Sequence, residues 1–154
     1  DRKVTMKNLL IYGTLTGNTE AVAKQIKKIV EEAGKELEIK NINQTNVEDI
    51  AQVENLLIVA SSTWDDGLPC SDMADFLEEN EANLPDLTGK KLAFFGCGDS
   101  NYIQFCHAVD ILEEKFTAKG GQKIGDSLKI DGYIEDQSNQ ENIKKFAEQL
   151  IQSL

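Results

Sequence analysis

Leu9-Leu10-Ile11-Tyr12 runs directly into Gly13-Thr14-Leu15-Thr16-Gly17-Asn18-Thr19, and a helical pattern begins at Glu20. The apolar run reads as a strand, the hydroxyl- and glycine-rich stretch as a loop, and the segment from Glu20 as the opening of a helix. This order suits an anion. The first helical N–H groups have no intrahelical partner, and the helix dipole adds partial positive charge there. Thr14, Thr16, Asn18 and Thr19 can each donate from a hydroxyl or amide, and Gly17 lets the backbone come close. The loop has no Lys or Arg, and the nucleoside-triphosphate motif G-x-x-x-x-G-K-[ST] is absent. The stretch therefore reads as a cradle of neutral donors for a terminal monophosphate. The competing reading is an ordinary capped turn between strand and helix.

Working outward, 154 residues suit one domain with room for a real core. Residues 6–154 are the expected domain, and the polar residues 1–5 read as a frayed extension or tag remnant. Composition is that of a soluble globular protein, with no apolar run long enough to span a bilayer and no signal-peptide pattern. The net charge of -11 argues against nucleic acid or an anionic membrane surface as partner. It is compatible with a basic protein partner met by electrostatic steering. Cys70, Cys97 and Cys106 are odd in number and lack C-x-x-C spacing, so neither a disulfide framework nor a structural zinc site is expected. Reduced thiols in a cytosolic protein are the expected state. His107, the single histidine, is expected to be a helix residue without chemistry.

Apolar runs alternate with helical patterns along the chain. Strands are predicted at 7–12, 37–42, 55–60 and 91–96, and a broken one at 122–130, interrupted at Gly125-Asp126. The runs Leu56-Leu57-Ile58-Val59 and Leu92-Ala93-Phe94-Phe95 are near-continuous, as in strands buried on both faces. Helices are predicted at 20–33 (stopped by Gly34), 72–80, 105–119 (stopped by Gly120-Gly121) and 138–153, the last capped by Ser138. Five strands alternating with helices predict an α/β fold with a parallel sheet covered on both faces. Ligands of such sheets bind outside the carboxyl ends of the strands. Function should therefore lie in the loops at 13–19, 61–70 and 96–102.

The second loop reads Ser61-Ser62-Thr63-Trp64-Asp65-Asp66-Gly67 and holds the single Trp of the chain. The third reads Gly96-Cys97-Gly98-Asp99-Ser100-Asn101-Tyr102 and ends in another aromatic. Its partial match to G-x-G-x-x-G lacks the third glycine and comes after the fourth strand, so it is a weak dinucleotide fingerprint. Together the loops offer a monophosphate cradle, hydroxyls for a polyol, and two aromatics beside glycines that admit a flat ring. Those are the parts of flavin mononucleotide (FMN).

On T-L-T-G-N-T at 14–19, S-T-W at 62–64 and F-G-C-G-D-S-N-Y at 95–102, with Phe105-Cys106 beyond, the chain resembles the short-chain flavodoxins. The segment Leu128-Lys129-Ile130-Asp131-Gly132 is similar to the family's end of the sheet, and there is no room for the insertion of long-chain members. The resemblance covers nearly all of residues 6–154. It implies a doubly wound five-stranded parallel sheet in the order 2-1-3-4-5, with helices on both faces. It implies non-covalent FMN and one-electron transfer between redox enzymes, without catalysis. Thr14, Leu15, Thr16, Gly17, Asn18 and Thr19 would wrap the phosphate, with Ser62 assisting. Ser61 and Thr63 would lie near the ribityl chain, and Trp64 and Tyr102 would flank the isoalloxazine. Asp65 and Gly67 belong to the loop beside the ring, and Cys97, Gly98, Asp99 and Cys106 to its pyrimidine edge. Cys97 and Cys106 are then walls, and Cys70 has no evident role. Redox partners would dock at the flavin edge through the acidic surface of a cytoplasmic monomer.

Rival readings differ at specific residues. A response-regulator receiver needs an acidic pair after the first strand and an Asp closing the third, where this chain has Gly13-Thr14 and Ser61-Ser62. A flavodoxin-like enzyme of the quinone reductase type needs room for a second substrate, which Trp64 and Tyr102 on the two ring faces would block. A flavodoxin domain of a larger reductase is the remaining alternative.

Asp65 stands where many short-chain relatives have Gly. In the family this peptide flips to accept a hydrogen bond from the reduced flavin, and the flipped turn needs a positive φ. Asp tolerates that geometry at a cost on the order of 1 kcal/mol. The cost corresponds to about 40 mV on the first one-electron couple, since a tenfold change is roughly 59 mV. Asp65→Gly is predicted to raise the first potential, measured by spectroelectrochemical titration. An unchanged potential would show that residue 65 does not limit the flip.

Overall fold

The computed structural model describes residues 6–14, 17–63, 67–101 and 105–154. Its elements are β1 (Met6–Gly13), α1 (Asn18–Glu32), β2 (Glu38–Asn41), α2 (Val47–Ala51), β3 (Val53–Ser62), α3 (Ser71–Asn80), β4 (Lys91–Gly98), α4 (His107–Thr117), β5 (Gln122–Lys123), β6 (Leu128–Asp131) and α5 (Gln137–Gln152). All strand pairs in the sheet are parallel, in the order β2-β1-β3-β4, with β5 and β6 both on the far side of β4. The expected order 2-1-3-4-5 is therefore present, but the fifth position is held by two short strands. β5 pairs with Lys91 and Leu92 at the start of β4, and β6 pairs from Phe95 to Gly98 at its end. Gly125, at φ 64, lies in the interruption between them.

Period-two alternation sorts the strand residues onto two faces. Leu9, Ile11, Leu57, Val59, Leu92 and Phe94 pack with Met73 and Phe76 of α3 and with Val109, Leu112 and Phe116 of α4. Leu10, Tyr12, Leu56, Ile58, Ala93 and Phe95 pack with Val22, Ile26 and Val30 of α1 and with Ile143, Phe146 and Leu150 of α5. The strands thus bury both faces, which is why their sequence reads as unbroken apolar runs. Each fully buried large side chain contributes about 1.5–3 kcal/mol.

Helix ends depart from the sequence expectation by one or two residues, and one short helix has no counterpart in it. The last helix starts at Gln137, one residue before Ser138, with Asp136 and not Ser138 at its N-cap. Asp136 N–H closes a turn on the Tyr133 carbonyl (3.2 Å) that leads straight into α5. The helix expected from Phe105 begins instead at His107, because Cys106 is left-handed, with φ 50. The five-residue α2, too short for a periodic signal, starts at a reciprocal capping box between Asn46 and Asp49.

At the carboxyl edge the last row on the α3/α4 face is Gly13, Ser61 and Gly96, side by side in register. A Cβ on Gly13 would stand 2.6 Å from Cys70 Sγ, and one on Gly96 would stand 2.4 Å from the Ser61 carbonyl oxygen and 2.6 Å from Val109 Cγ2. Small residues in this row let the starts of α3 and α4 close over the strand ends. Gly96→Ala is expected to cost about 1–3 kcal/mol from overpacking, read as a lower midpoint in urea unfolding. A variant as stable as the parent would show that the row tolerates a methyl group.

Candidate functional site

The loop after β1 is shaped from within. Gly17 N–H donates to Thr14 Oγ1 (3.0 Å), and Gly17, as N-cap of α1, is left-handed with φ 91. A side chain at that φ would be strained, so glycine is required by conformation, with open space around it. Among the described residues, no side chain caps α1. Thr19 is fully buried, and neither its Oγ1 nor the buried Oγ of half-buried Ser62 has a hydrogen-bond partner among the described residues. Leaving such a group unsatisfied costs about 1–3 kcal/mol. The phosphate expectation for Leu15 and Thr16 concerns residues outside the described ones. Thr14, Gly17, Asn18 and Thr19 stand at the strand end and helix start where the sequence reading put them.

The loop after β3 folds back on itself. Cys70 N–H donates to Ser61 Oγ (3.1 Å) and to the Ser62 carbonyl (3.1 Å). Ser61 Oγ in turn donates to the Ser62 carbonyl (2.9 Å). Ser61 is fully buried and its hydroxyl is committed to the loop. Thr63 Oγ1 accepts from Ala108 N–H (3.1 Å), and Thr63 N–H donates to the Cys97 carbonyl (3.0 Å). Thr63 therefore caps α4 from a distant loop, a task that Cys106 at the N-cap does not perform. Gly67, at φ 82, is buried in the same loop. Trp64 and Asp65 lie outside the described residues, as does Tyr102 of the third loop. Cys70, without a reading from sequence, packs under Gly13 and starts α3.

The loop after β4 is tied to the end of β6. Ser100 N–H donates to Asp131 Oδ1 (2.9 Å), Gly132 N–H to the Gly98 carbonyl (3.0 Å), and Asn101 N–H to Asp99 Oδ1 (2.9 Å). Hydrogen bonds from Ser100 hold the Asp131 carboxyl below its usual range. Asn139 of α5 donates to the carbonyls of Asp131 (2.9 Å) and Tyr133 (2.7 Å). Asp131 and Asn139 carry no sequence signal for these roles because their partners are remote; the nearest signal is Leu128-Lys129-Ile130-Asp131-Gly132 itself. Asn18, Gly98, Asp99, Asp131, Tyr133 and Asp136 line a cleft of about 670 Å³, a size ordinary for a small-molecule site. Its described lining residues include three carboxylates and no Lys or Arg.

Cys97 and Cys106 are buried beside this cleft, with no disulfide. Burial pushes the Cys97 thiol up to about 11; the Thr19 hydroxyl is near enough to offset part of the rise without reaching hydrogen-bond geometry. Burial, with the neighbouring Cys97, pushes Cys106 up to about 12. Gly98 makes room for Cys106, since a Cβ would stand 3.0 Å from its Sγ. His107 opens α4 with Nδ1 3.5 Å from Asp110 Oδ2.

Both thiols are raised in the folded state, so the folded protein keeps protons that the unfolded chain loses. Their stabilisation is complete below the ordinary thiol value of 9.0 and is lost as pH rises towards 11 and 12. Native protein at pH 8 is expected to leave Cys97 and Cys106 unmodified by a chromogenic disulfide reagent, with full reaction after unfolding. Rapid reaction of either thiol in the folded protein would contradict their burial.

A family model described as "Flavodoxin" matches residues 10–150. A flavodoxin of Maridesulfovibrio salexigens is 41% identical over 134 residues, covering 82% of this chain and 86% of the relative. A flavodoxin of Nitratidesulfovibrio vulgaris is 36% identical over 148 residues, covering 95% and 97%. The crystal structure of oxidised flavodoxin 2 from Bacillus cereus superposes with a TM-score of 0.89 at 32% identity, covering 97% of this chain and all of that one. The receiver reading has no support, and the chain belongs to the flavodoxin family.

Proposed function

We propose that this chain carries electrons one at a time between redox proteins, using FMN held non-covalently at the carboxyl ends of its strands. The observation that carries the reading is the pair of buried, unpartnered hydroxyls, Thr19 Oγ1 and Ser62 Oγ, beside an uncapped helix start. A phosphate accepts hydrogen bonds from both kinds of donor, which satisfies groups that otherwise cost stability. FMN, when bound, supplies the one-electron chemistry, and the protein's part is to hold it and set its electrostatics.

In this reading Thr14, Leu15, Thr16, Gly17, Asn18 and Thr19 hold the phosphate with Ser62. Ser61 supports the site as scaffold, since its hydroxyl is already bonded within the loop. Thr63 lies near the ribityl chain while capping α4. Trp64 and Tyr102 would cover the two ring faces and leave no room for a second substrate, as a carrier requires. Asp65 and Gly67 shape the loop beside the ring. Cys97, Gly98, Asp99 and Cys106 wall the pyrimidine edge, the thiols neutral throughout the physiological range. Asp99, Asp131 and Asp136 face the cleft without a cation among its described lining residues, so added negative charge on the ligand is opposed. The second electron should therefore enter at low potential and leave readily.

The same acidity suits redox partners with basic docking faces. No helix among the described residues is long and apolar enough to cross a membrane. A cytoplasmic, monomeric carrier built as one domain is the form this reading takes. Purified protein is expected to take up one FMN and to give a second potential below that of free FMN. Failure to bind FMN, or steady NADH-driven quinone reduction by the protein alone, would overturn it.

A further inference from the structure

Glu20 is the third residue of α1, the position whose carboxylate ordinarily folds back to cap the start of its own helix. α2 shows that arrangement in the same molecule: Asp49 Oδ2 accepts from Asn46 N–H (3.0 Å), and Asn46 Oδ1 accepts from Asp49 N–H (2.9 Å). In α1 the arrangement is replaced. The N-cap N–H of Gly17 goes to Thr14 Oγ1, and Glu20 Oε1 accepts from the Tyr12 hydroxyl at 2.8 Å. Tyr12 sits near the end of β1, 5% exposed and packed in the core layer of α1 and α5. Its ring is fixed, so its hydroxyl is a fixed anchor. Lys24 Nζ stands 3.8 Å from the same carboxylate oxygen on the solvent side.

We propose that Tyr12 is a positioning residue for the phosphate of FMN: by holding the Glu20 carboxylate away from the start of α1, it keeps that helix end open for an external dianion. The inference rests on the FMN reading above. A carboxylate released from Tyr12 would be free to swing towards the start of α1 and repel the phosphate there by like charge. Burial, with the hydrogen bond and charge of Glu20, pushes the Tyr12 phenol up to about 12, so the donor keeps its proton at any working pH.

The device acts on the phosphate and not on the ring. Its signature is therefore the ratio of affinities for FMN and riboflavin, which differ by that phosphate. Apoprotein is titrated with each flavin, monitored by quenching of flavin fluorescence, for wild type, Tyr12→Phe and Tyr12→Phe/Glu20→Gln. Tyr12→Phe is expected to weaken FMN about fivefold, the scale of one charge at a helix end, and to leave riboflavin unchanged. Neutralising Glu20 in the double variant is expected to restore FMN affinity. Equal losses for both flavins, no loss for FMN, or a double variant as weak as Tyr12→Phe would overturn the proposal. Thermal unfolding of each apoprotein checks that the variants fold. Wild-type protein that binds neither flavin would instead overturn the cofactor reading itself.

Discussion

Gly13, Ser61 and Gly96 stand side by side across β1, β3 and β4, on the face that carries α3 and α4. Two rows earlier the same face holds Leu9, Leu57 and Leu92, so the sheet narrows abruptly at its carboxyl edge. The narrowing lets Cys70 pack under Gly13 and lets Val109 reach Gly96. It also brings Cys70 N–H to Ser61 and Ala108 N–H to Thr63, which sets the paths of the second and third loops. A bulkier row would push both helix starts outward and open the floor of the site. Close packing of this kind leaves little slack, because interiors are as dense as organic crystals.

On the opposite face the controlling feature is electrostatic. Among the described residues, the start of α1 has no side-chain cap, and the buried hydroxyls of Thr19 and Ser62 meet no partner. Around the neighbouring cleft, Asp99, Asp131 and Asp136 supply negative charge. Under the proposed function a phosphate is offered dipoles, with no Lys or Arg among the described residues lining the cleft. An acidic ligand held this way resists further reduction, which matches the proposed low-potential carrier. Burial raises both thiols nearby, so they stay protonated and add no charge of their own at neutral pH.

Much of the fold is legible in the sequence because its signals are local. The doubly buried strands announce themselves as apolar runs, and the helices at 20–33 and 72–80 carry their period within one segment. The fifth strand is legible as broken, at Gly125-Asp126, yet its division into β5 and β6 at opposite ends of β4 needs the partner strand. Ser138 looks like a cap, but the turn closed on Tyr133 starts α5 earlier. The start of α4 escapes the sequence because Cys106 takes a left-handed conformation that no local signal marks.

The sequence by itself determined the alternation of strands and helices, the position of the three loops, and the presence in them of neutral hydroxyl and amide groups. These depend on periodicity, glycine placement and the chemistry of single side chains. Tertiary structure alone decided which of those groups are already bonded and which remain open. Ser61 is engaged by Cys70 nine positions away and Thr63 by Ala108 forty-five away. Thr19 and Ser62 meet no hydrogen-bond partner among the described residues. A hydroxyl's availability depends on which backbone groups the packed helices bring within hydrogen-bond reach, and that distance is set by the whole sheet, not by neighbours in the chain.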